Sequence, residues 1–210
     1  MDNIFYECPL LTNFNLKNNN LPKLKSMIGM FINCPKLSTV KFENIDFLEL
    51  TSVKEIFIDW NNLINTHFIN LNFTSLTTME KIYFNSISYQ NYLYKITFEN
   101  IDMTNVLTME KMFSDCSSLN YIKFININAH KLKSLEEMFF NSGLINASFI
   151  NFFSPNLESV RRMFMNCNNL NYIKLENILE NISVSKLITM EEMFSNYNNL
   201  KILVYITLHF

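Results

Sequence analysis

Apolar positions recur along this chain in two alternating rhythms. The stretch Met109-Glu-Lys-Met-Phe-Ser-Asp-Cys places Met109, Met112, Phe113 and Cys116 at i, i+3, i+4 and i+7, the spacing of one helix face. In Leu119-x-x-Ile122-x-Phe124 an alternating pattern takes over, and a short strand is the natural reading. The pair of rhythms then repeats. Units begin at Met1, Met27, Val53, Met79, Met109, Leu135, Val160 and Met190, at spacings of 26, 26, 26, 30, 26, 25 and 30 residues. Self-similarity at such a period is the signature of stacked repeats. One strand per unit, followed by a long return, makes neighbouring strands parallel. The expectation is an α/β repeat over residues 1–210, a leucine-rich-repeat-like solenoid of eight units with the last truncated. One parallel sheet would line one side, and short helices or 3₁₀ turns the other.

Four columns fix the register. The eleventh column is Leu in all eight units, from Leu11 and Leu37 through Leu119 to Leu200, and the fifth is Phe in seven with Tyr83 in the other. Before each new unit stands Ser26, Ser52, Thr78, Thr108, Ser134, Ser159 or Thr189, where a helix N-cap needs an oxygen to accept from first-turn N–H groups. Glu55, Glu137 and Glu192 follow such residues at capping-box spacing. A helical segment of two turns is unstable alone and must be held by packing. After the strand comes an Asn in seven units: Asn18, Asn44, Asn70, Asn100, Asn126, Asn151 and Asn177. A chain turning out of a sheet carries backbone groups that water cannot reach. A stacked Asn can bond across such a turn through both carbonyl and amide, so this column is expected to be a structural ladder.

The unit Met-x-x-Met-Phe-x-x-Cys-x-x-Leu-x-x-Ile-x-Phe-x-Asn-Ile, as it stands from Met109 to Ile127, resembles the BspA-type leucine-rich repeats. The nearest likeness is to the roughly 25-residue copies found in mycoplasmal, other bacterial and protist proteins. The resemblance covers essentially the whole chain. It implies a segment of a surface-exposed adhesion or host-contact protein. The chain departs from the pattern in its eighth column, which holds Cys8, Cys34, Cys116 and Cys167 but Trp60, Ser86, Ser142 and Tyr197 elsewhere. Its Asn also lies seven residues after the column Leu, not the eight of standard leucine-rich repeats.

Composition narrows the function classes. With Phe 20 and Met 12 against Gly 2 and Pro 4, the chain has ample core material and few residues for tight hairpins or phosphate loops. A net charge of −2 argues against nucleic acid as a partner. No apolar run approaches the roughly 18 residues of a membrane span, and Met1-Asp-Asn-Ile-Phe lacks the basic and apolar regions of a signal peptide. All four cysteines share one column on the apolar side, where Cys acts as a small hydrophobe, so free, slowly reacting thiols are expected. His67, His130 and His209 fall at three different repeat positions, and no metal, phosphate-loop or nucleophile-elbow motif is present. No cofactor, metal site or catalytic residue is expected. The third residues of successive units, Glu55, Lys81, Lys111, Glu137, Arg162 and Glu192, bring mostly opposite charges together between neighbours.

A partner, expected to be a protein, would meet the solvent face of the sheet, since residues between the core columns project there. The best patch combines Tyr121 and Lys123 with Tyr172 and Lys174, about 10 Å apart across two strand spacings. Lys41 and Glu43 extend it. The insertions at 86–92 and 179–186 are alternative contact sites. The apolar ending Leu203-Val-Tyr-Ile-Thr-Leu leads to an expectation of end-to-end self-association. Two functions survive: a non-catalytic adhesion or protein-interaction module of a larger surface protein, or an intracellular leucine-rich-repeat scaffold. The family resemblance favours the first, and the absent signal and stacked free thiols the second.

Overall fold

The computed structural model describes residues 1–58, 62–84, 93–176, 189–196 and 203–207. Its strands are β1 (Asn13–Lys17), β2 (Thr39–Asp46), β3 (Phe57–Ile58), β4 (Asn65–Asn72), β5 (Tyr83–Phe84), β6 (Lys95–Asp102), β7 (Tyr121–Asn128), β8 (Asn146–Phe153), β9 (Tyr172–Glu176) and β10 (Leu203–Thr207). Eight of them form one all-parallel sheet in the order β1-β2-β4-β6-β7-β8-β9-β10, and β3 pairs β5 beside it. The chain is a parallel-sheet solenoid, and each strand pairs with its equivalent one repeat away. Phe42, Phe68, Phe98, Phe124 and Phe149 lie in one row across β2 to β8.

The strands do not keep a simple alternation. In β7 the buried residues are Ile122, Phe124 and Ile127. The step of three falls at Asn126, whose φ is 54°. One residue in the left-handed region turns the strand and shifts its inward-facing set by one position, as a bulge does. Asn is among the few residues that enter this region readily. The Asn column thus sits at a corner inside the strand, with its side chains exposed. This corrects the expectation of a ladder pairing water-shielded backbone at the strand's end. The amides bond one another: Asn44 Nδ2 donates to Asn18 Oδ1 at 2.7 Å, and Asn70, Asn100, Asn126 and Asn151 repeat this at 2.7–2.8 Å. Asn177 lies outside the described residues.

The expected short helices are not there: among the described residues the first part of each unit is a run of turns, which in the units at Val53 and Met79 passes into the short strands β3 and β5. Every third residue of a unit has positive φ, from Asn3 and Gly29 through Glu55, Lys81, Lys111, Glu137 and Arg162 to Glu192. So does every described seventh residue: Glu7, Asn33, Asp115, Asn141, Asn166 and Asn196. A helix cannot propagate through left-handed residues spaced four apart. Non-glycine residues held so cost about 1–3 kcal/mol each, and the hydrogen bonds show what offsets that.

In the unit at Met109, alternate N–H groups leave the unit. Met109, Lys111, Phe113 and Asp115 donate to the carbonyls of Ser134, just before the next unit, and of Glu136, Met138 and Phe140 within it, at 2.9–3.1 Å. The groups between them close turns, with Met112, Ser114 and Cys116 donating three residues back. Glu110 N–H goes to Thr108 Oγ1 at 3.1 Å. The same bond recurs at Glu80, Glu136, Arg161 and Glu191, so the Ser/Thr column does accept a first-turn N–H, but caps a turn. Its backbone also forms parallel bridges, Ser26 with Ser52 and then Thr78 through Thr108, Ser134 and Ser159 to Thr189. Every N–H from 109 to 116 has a partner, as buried backbone requires. The capping-box glutamates occupy the left-handed third column, and their carboxylates meet Lys54, Lys111 and Arg162.

Between the sheet and the turns lie stacked aromatic columns. Phe5, Phe31, Phe57, Tyr83, Phe113, Phe139, Phe164 and Phe194 stack in succession at 4.8–5.6 Å between ring centres. A second column from the strands runs Phe42, Phe68, Phe98, Phe124, Phe149 at 4.8–5.7 Å. The columns meet edge to face, as at Phe98–Phe113, each contact adding about 0.5–1.5 kcal/mol beyond area burial. The unit at Leu135 is one residue shorter, and Gly143 lies at that deletion. A Cβ there would sit 1.8 Å from the Ser117 carbonyl oxygen, so the shortened path admits only glycine.

One defect in the columns is matched across units. Tyr83 replaces Phe, and its fully buried hydroxyl lies 2.5 Å from Thr66 Oγ1, in a row otherwise holding Val40, Ile96, Ile122 and Ala147. Burial drives the tyrosine hydroxyl's pKa far up, so it remains a neutral hydrogen-bonding group. Thr66→Val removes the hydroxyl facing Tyr83 and is expected to cost about 1–3 kcal/mol, whereas Thr66→Val with Tyr83→Phe restores near wild-type stability. Urea denaturation of the two singles and the double reads this coupling, and additive losses would refute it. Asn126→Leu is expected to destabilise by about 2 kcal/mol or more, combining left-handed strain with two lost amide bonds. Asn126→Gly keeps the backbone relaxed and should cost less. Equal melting temperatures for the two variants would show that the corner, and not the ladder, is immaterial.

Candidate interaction face

Three outward rows run across the sheet, because positions between the core columns alternate out of the pleat. The first is Thr39, Asn65, Lys95, Tyr121, Asn146, Tyr172; the second Lys41, His67, Thr97, Lys123, Ser148, Lys174; the third Glu43, Ile69, Glu99, Ile125, Ile150, Glu176. Tyr121 and Tyr172 share a row with Asn146 between them, and Lys123 and Lys174 share one with Ser148 between them. Thr97 is buried beneath its neighbours and Lys123 is exposed.

Local charge separates the sequence-derived residues into two kinds. Lys41 bonds Glu43 at 2.7 Å along its own strand, and this hydrogen bond holds the Glu43 carboxyl below its usual range. Lys174 is likewise tied to Glu176, which raises the lysine's pKa. Those cations are committed within the face. Lys123 makes no ion pair among the described residues, and neither does Lys95. His67 is half-buried beside them. Burial, then the charges of Lys95 and Lys41, lower its pKa, so its neutral form is favoured.

Sequence reasoning missed Tyr94, and left Lys95, an outward position of its strand, out of the patch. Tyr94 follows the column Leu directly, in a row with Ser38, Ile64, Asn120, Ile145 and Asn171 that is laced by backbone bonds. Its ring meets Tyr121 edge-on at 5.1 Å, and hydrogen bonding with Tyr121 raises its hydroxyl pKa. Tyr94 is 46% exposed and Ile64 44%. The signal available was the residue type: two consecutive large apolar residues in a row that is otherwise mostly polar. The insertions at 86–92 and 179–186 lie outside the described residues.

On the opposite side, Arg161 bonds Glu136 at 2.7 Å and Glu191 at 3.0 Å, while Arg162 sits between Glu137 and Glu192. These pairs are solvated and contribute little individually. An open cavity of about 260 Å³ is lined by Glu7, Pro9, Asn33 and Pro35 at the turns of the first two units. Among the described residues no group of three or more His, Cys, Asp or Glu is placed to hold a metal ion, and no helix is long and apolar enough to cross a membrane.

The eighth-column thiols are free. Cys34, Cys116 and Cys167 are buried, and Cys34 and Cys167 Sγ donate to the carbonyls of Phe5 and Phe139 at 3.0 and 2.9 Å. Desolvation raises the Cys34 and Cys116 pKa values and suppresses the reactive thiolate. Cys8 is half-buried. A maleimide at neutral pH is therefore expected to label Cys8 in the native protein and the other three only on unfolding, as counted by intact mass. Rapid native labelling of Cys116 would break the register.

No curated protein and no solved structure matches the chain. A family model does, over residues 1–103 and again over 88–204, two overlapping stretches as a repeated unit produces. The chain belongs to the family described as Mycoplasma protein of unknown function, DUF285.

Proposed function

We propose that the chain is a non-catalytic protein-interaction module of the adhesion type, kin to BspA-type leucine-rich repeats and part of a surface protein. Its contact surface is the sheet face. The observation that carries this reading is the concentration of Tyr94, Tyr121, Lys123 and Tyr172 on a single continuous parallel sheet. Binding energy concentrates in a few aromatic and cationic anchors on a rigid surface. Tyrosine supplies a large contact area with little side-chain entropy to lose. A solenoid offers such anchors along an extended surface, because each unit adds one strand to the same plane. The turn side suits binding less well, since its charges are neutralised pairwise between units.

Tyr121→Ala with Tyr172→Ala should abolish binding to a protein partner while the circular dichroism spectrum and melting temperature stay near wild type. Glu110→Lys, on the turn side, should leave binding intact. The assay is affinity capture from extracellular host proteins with wild type and variants in parallel. Capture that survives the double substitution would exclude the sheet face as the contact surface.

A further inference from the structure

The sheet face is not uniform, and at its centre, among the described residues, two neighbouring lysines stand without ion pairs. Lys95 and Lys123 lie on neighbouring strands, offset by two residues, with buried Thr97 between them in the lattice of side chains. Neighbouring strands and a two-residue offset put their Cβ atoms about 8 Å apart. The carboxylate nearest in register is Glu99, beside Ile69 and Ile125, and it forms no ion pair among the described residues. His67 completes the group from β4, in register with Thr97. At the margin, Ile64 and Tyr94 are exposed side by side, and Tyr121 packs on Tyr94. The result is an unpaired cationic centre with an apolar and aromatic border.

We propose that this centre, formed by His67, Lys95 and Lys123 and bordered by Ile64 and Tyr94, is a subsite for an extended acidic peptide segment. The proposal rests on reading the sheet face as an interaction surface and adds the chemistry of the partner. In an extended chain alternate side chains point the same way about 6.7 Å apart. Two acidic residues at i and i+2 therefore reach Lys95 and Lys123, whose long stems absorb the remaining mismatch. A third side chain facing the same way, if aliphatic, falls on Ile64 and Tyr94. Charge complementarity selects the acid, and the border selects a peptide with apolar residues beside it.

Protonation of His67 strengthens the site. The groups facing it are Lys41 and Glu43 from β2, already paired with each other, and Lys95 and Glu99 from β6. Burial and the lysines keep the imidazole neutral at neutral pH, its pKa being below the ordinary value. A bound carboxylate offsets that repulsion and favours the imidazolium. Affinity should thus rise as pH falls from about 7.5 to about 5.5, across the range in which histidine titrates.

The test uses the full chain and fluorescein-labelled twelve-residue peptides in anisotropy titrations. One peptide repeats Glu-Ser-Glu-Ser-Val-Ser twice, so that one side of the extended chain reads Glu, Glu, Val; its control carries Gln for Glu, and heparin is the competing polyanion. The acidic peptide should bind and the Gln peptide should not. Lys95→Ala with Lys123→Ala should weaken binding by about tenfold, as two solvated ion pairs imply. Lys95→Arg with Lys123→Arg should retain it, and Lys54→Ala, on the turn side, should change nothing. His67→Gln should remove the pH dependence. No binding of the acidic peptide, or binding of heparin alone with the same lysine dependence, overturns the proposal. A protein partner that is lost with Tyr121→Ala and Tyr172→Ala but kept with Lys95→Ala and Lys123→Ala overturns the subsite while leaving the sheet face as the contact surface.

Discussion

Everything in this molecule is subordinate to the spacing between coils. Parallel strands sit about 4.8 Å apart, and any side chain stacked on its own equivalent must tolerate nearly that repeat. Phenylalanine does: its rings stack at 4.8–5.7 Å with planes almost parallel, tilting slightly to fill the gap. Asparagine does as well, because one amide carries both donor and acceptor and can repeat without limit. The same spacing lets turn N–H groups find carbonyls one coil away. Backbone, ring and amide thus agree on one repeat distance, and agreement across levels is what makes a sequence specify one structure.

The repeat, its register, the inward columns and the parallel sheet were legible because identical residues recur at fixed intervals. The turn segment was misread for a definite reason. Met109, Met112, Phe113 and Cys116 have helical spacing, yet a run of turns folded over a core also points residues one, four, five and eight inward. Periodicity reports which side chains are buried, not which carbonyl each N–H chooses. The choice was made by tertiary context: an isolated two-turn helix leaves most of its end groups unpaired, whereas inter-coil bonding satisfies them. The third column held a faint clue. Glu, Lys and Arg there reveal nothing of their left-handed backbone, but Gly29 and the Asn residues of the seventh column do.

The candidate site was legible at lower resolution. Strand alternation placed Tyr121, Lys123, Tyr172 and Lys174 on one face, and the structure keeps them in two common rows. It does not treat them alike. Lys174 and Lys41 are consumed by Glu176 and Glu43 two residues along the same strand, while Lys95 joins from the row of Tyr121 and Tyr94 from a row that the repeat pattern left unassigned. Which lysine keeps a free charge depends on side-chain reach across the pleat, and spacing alone cannot rank that.

In-register stacking also dictates where variation is tolerated. A column of identical charges would set like against like at every coil, and the stretch Lys111, Glu137, Arg162 and Glu192 avoids this by alternating. A buried hydroxyl cannot enter a phenylalanine column without a matching group in the facing row, which is why Tyr83 is accompanied by Thr66. Core, amide and charge columns are therefore each bound by their neighbours above and below. The outward rows of the sheet escape this constraint, because water screens them and no neighbouring coil depends on their identity. Units that must be nearly alike to stack can differ there, and differing residues on a common plane are what recognition of a non-repeating partner requires.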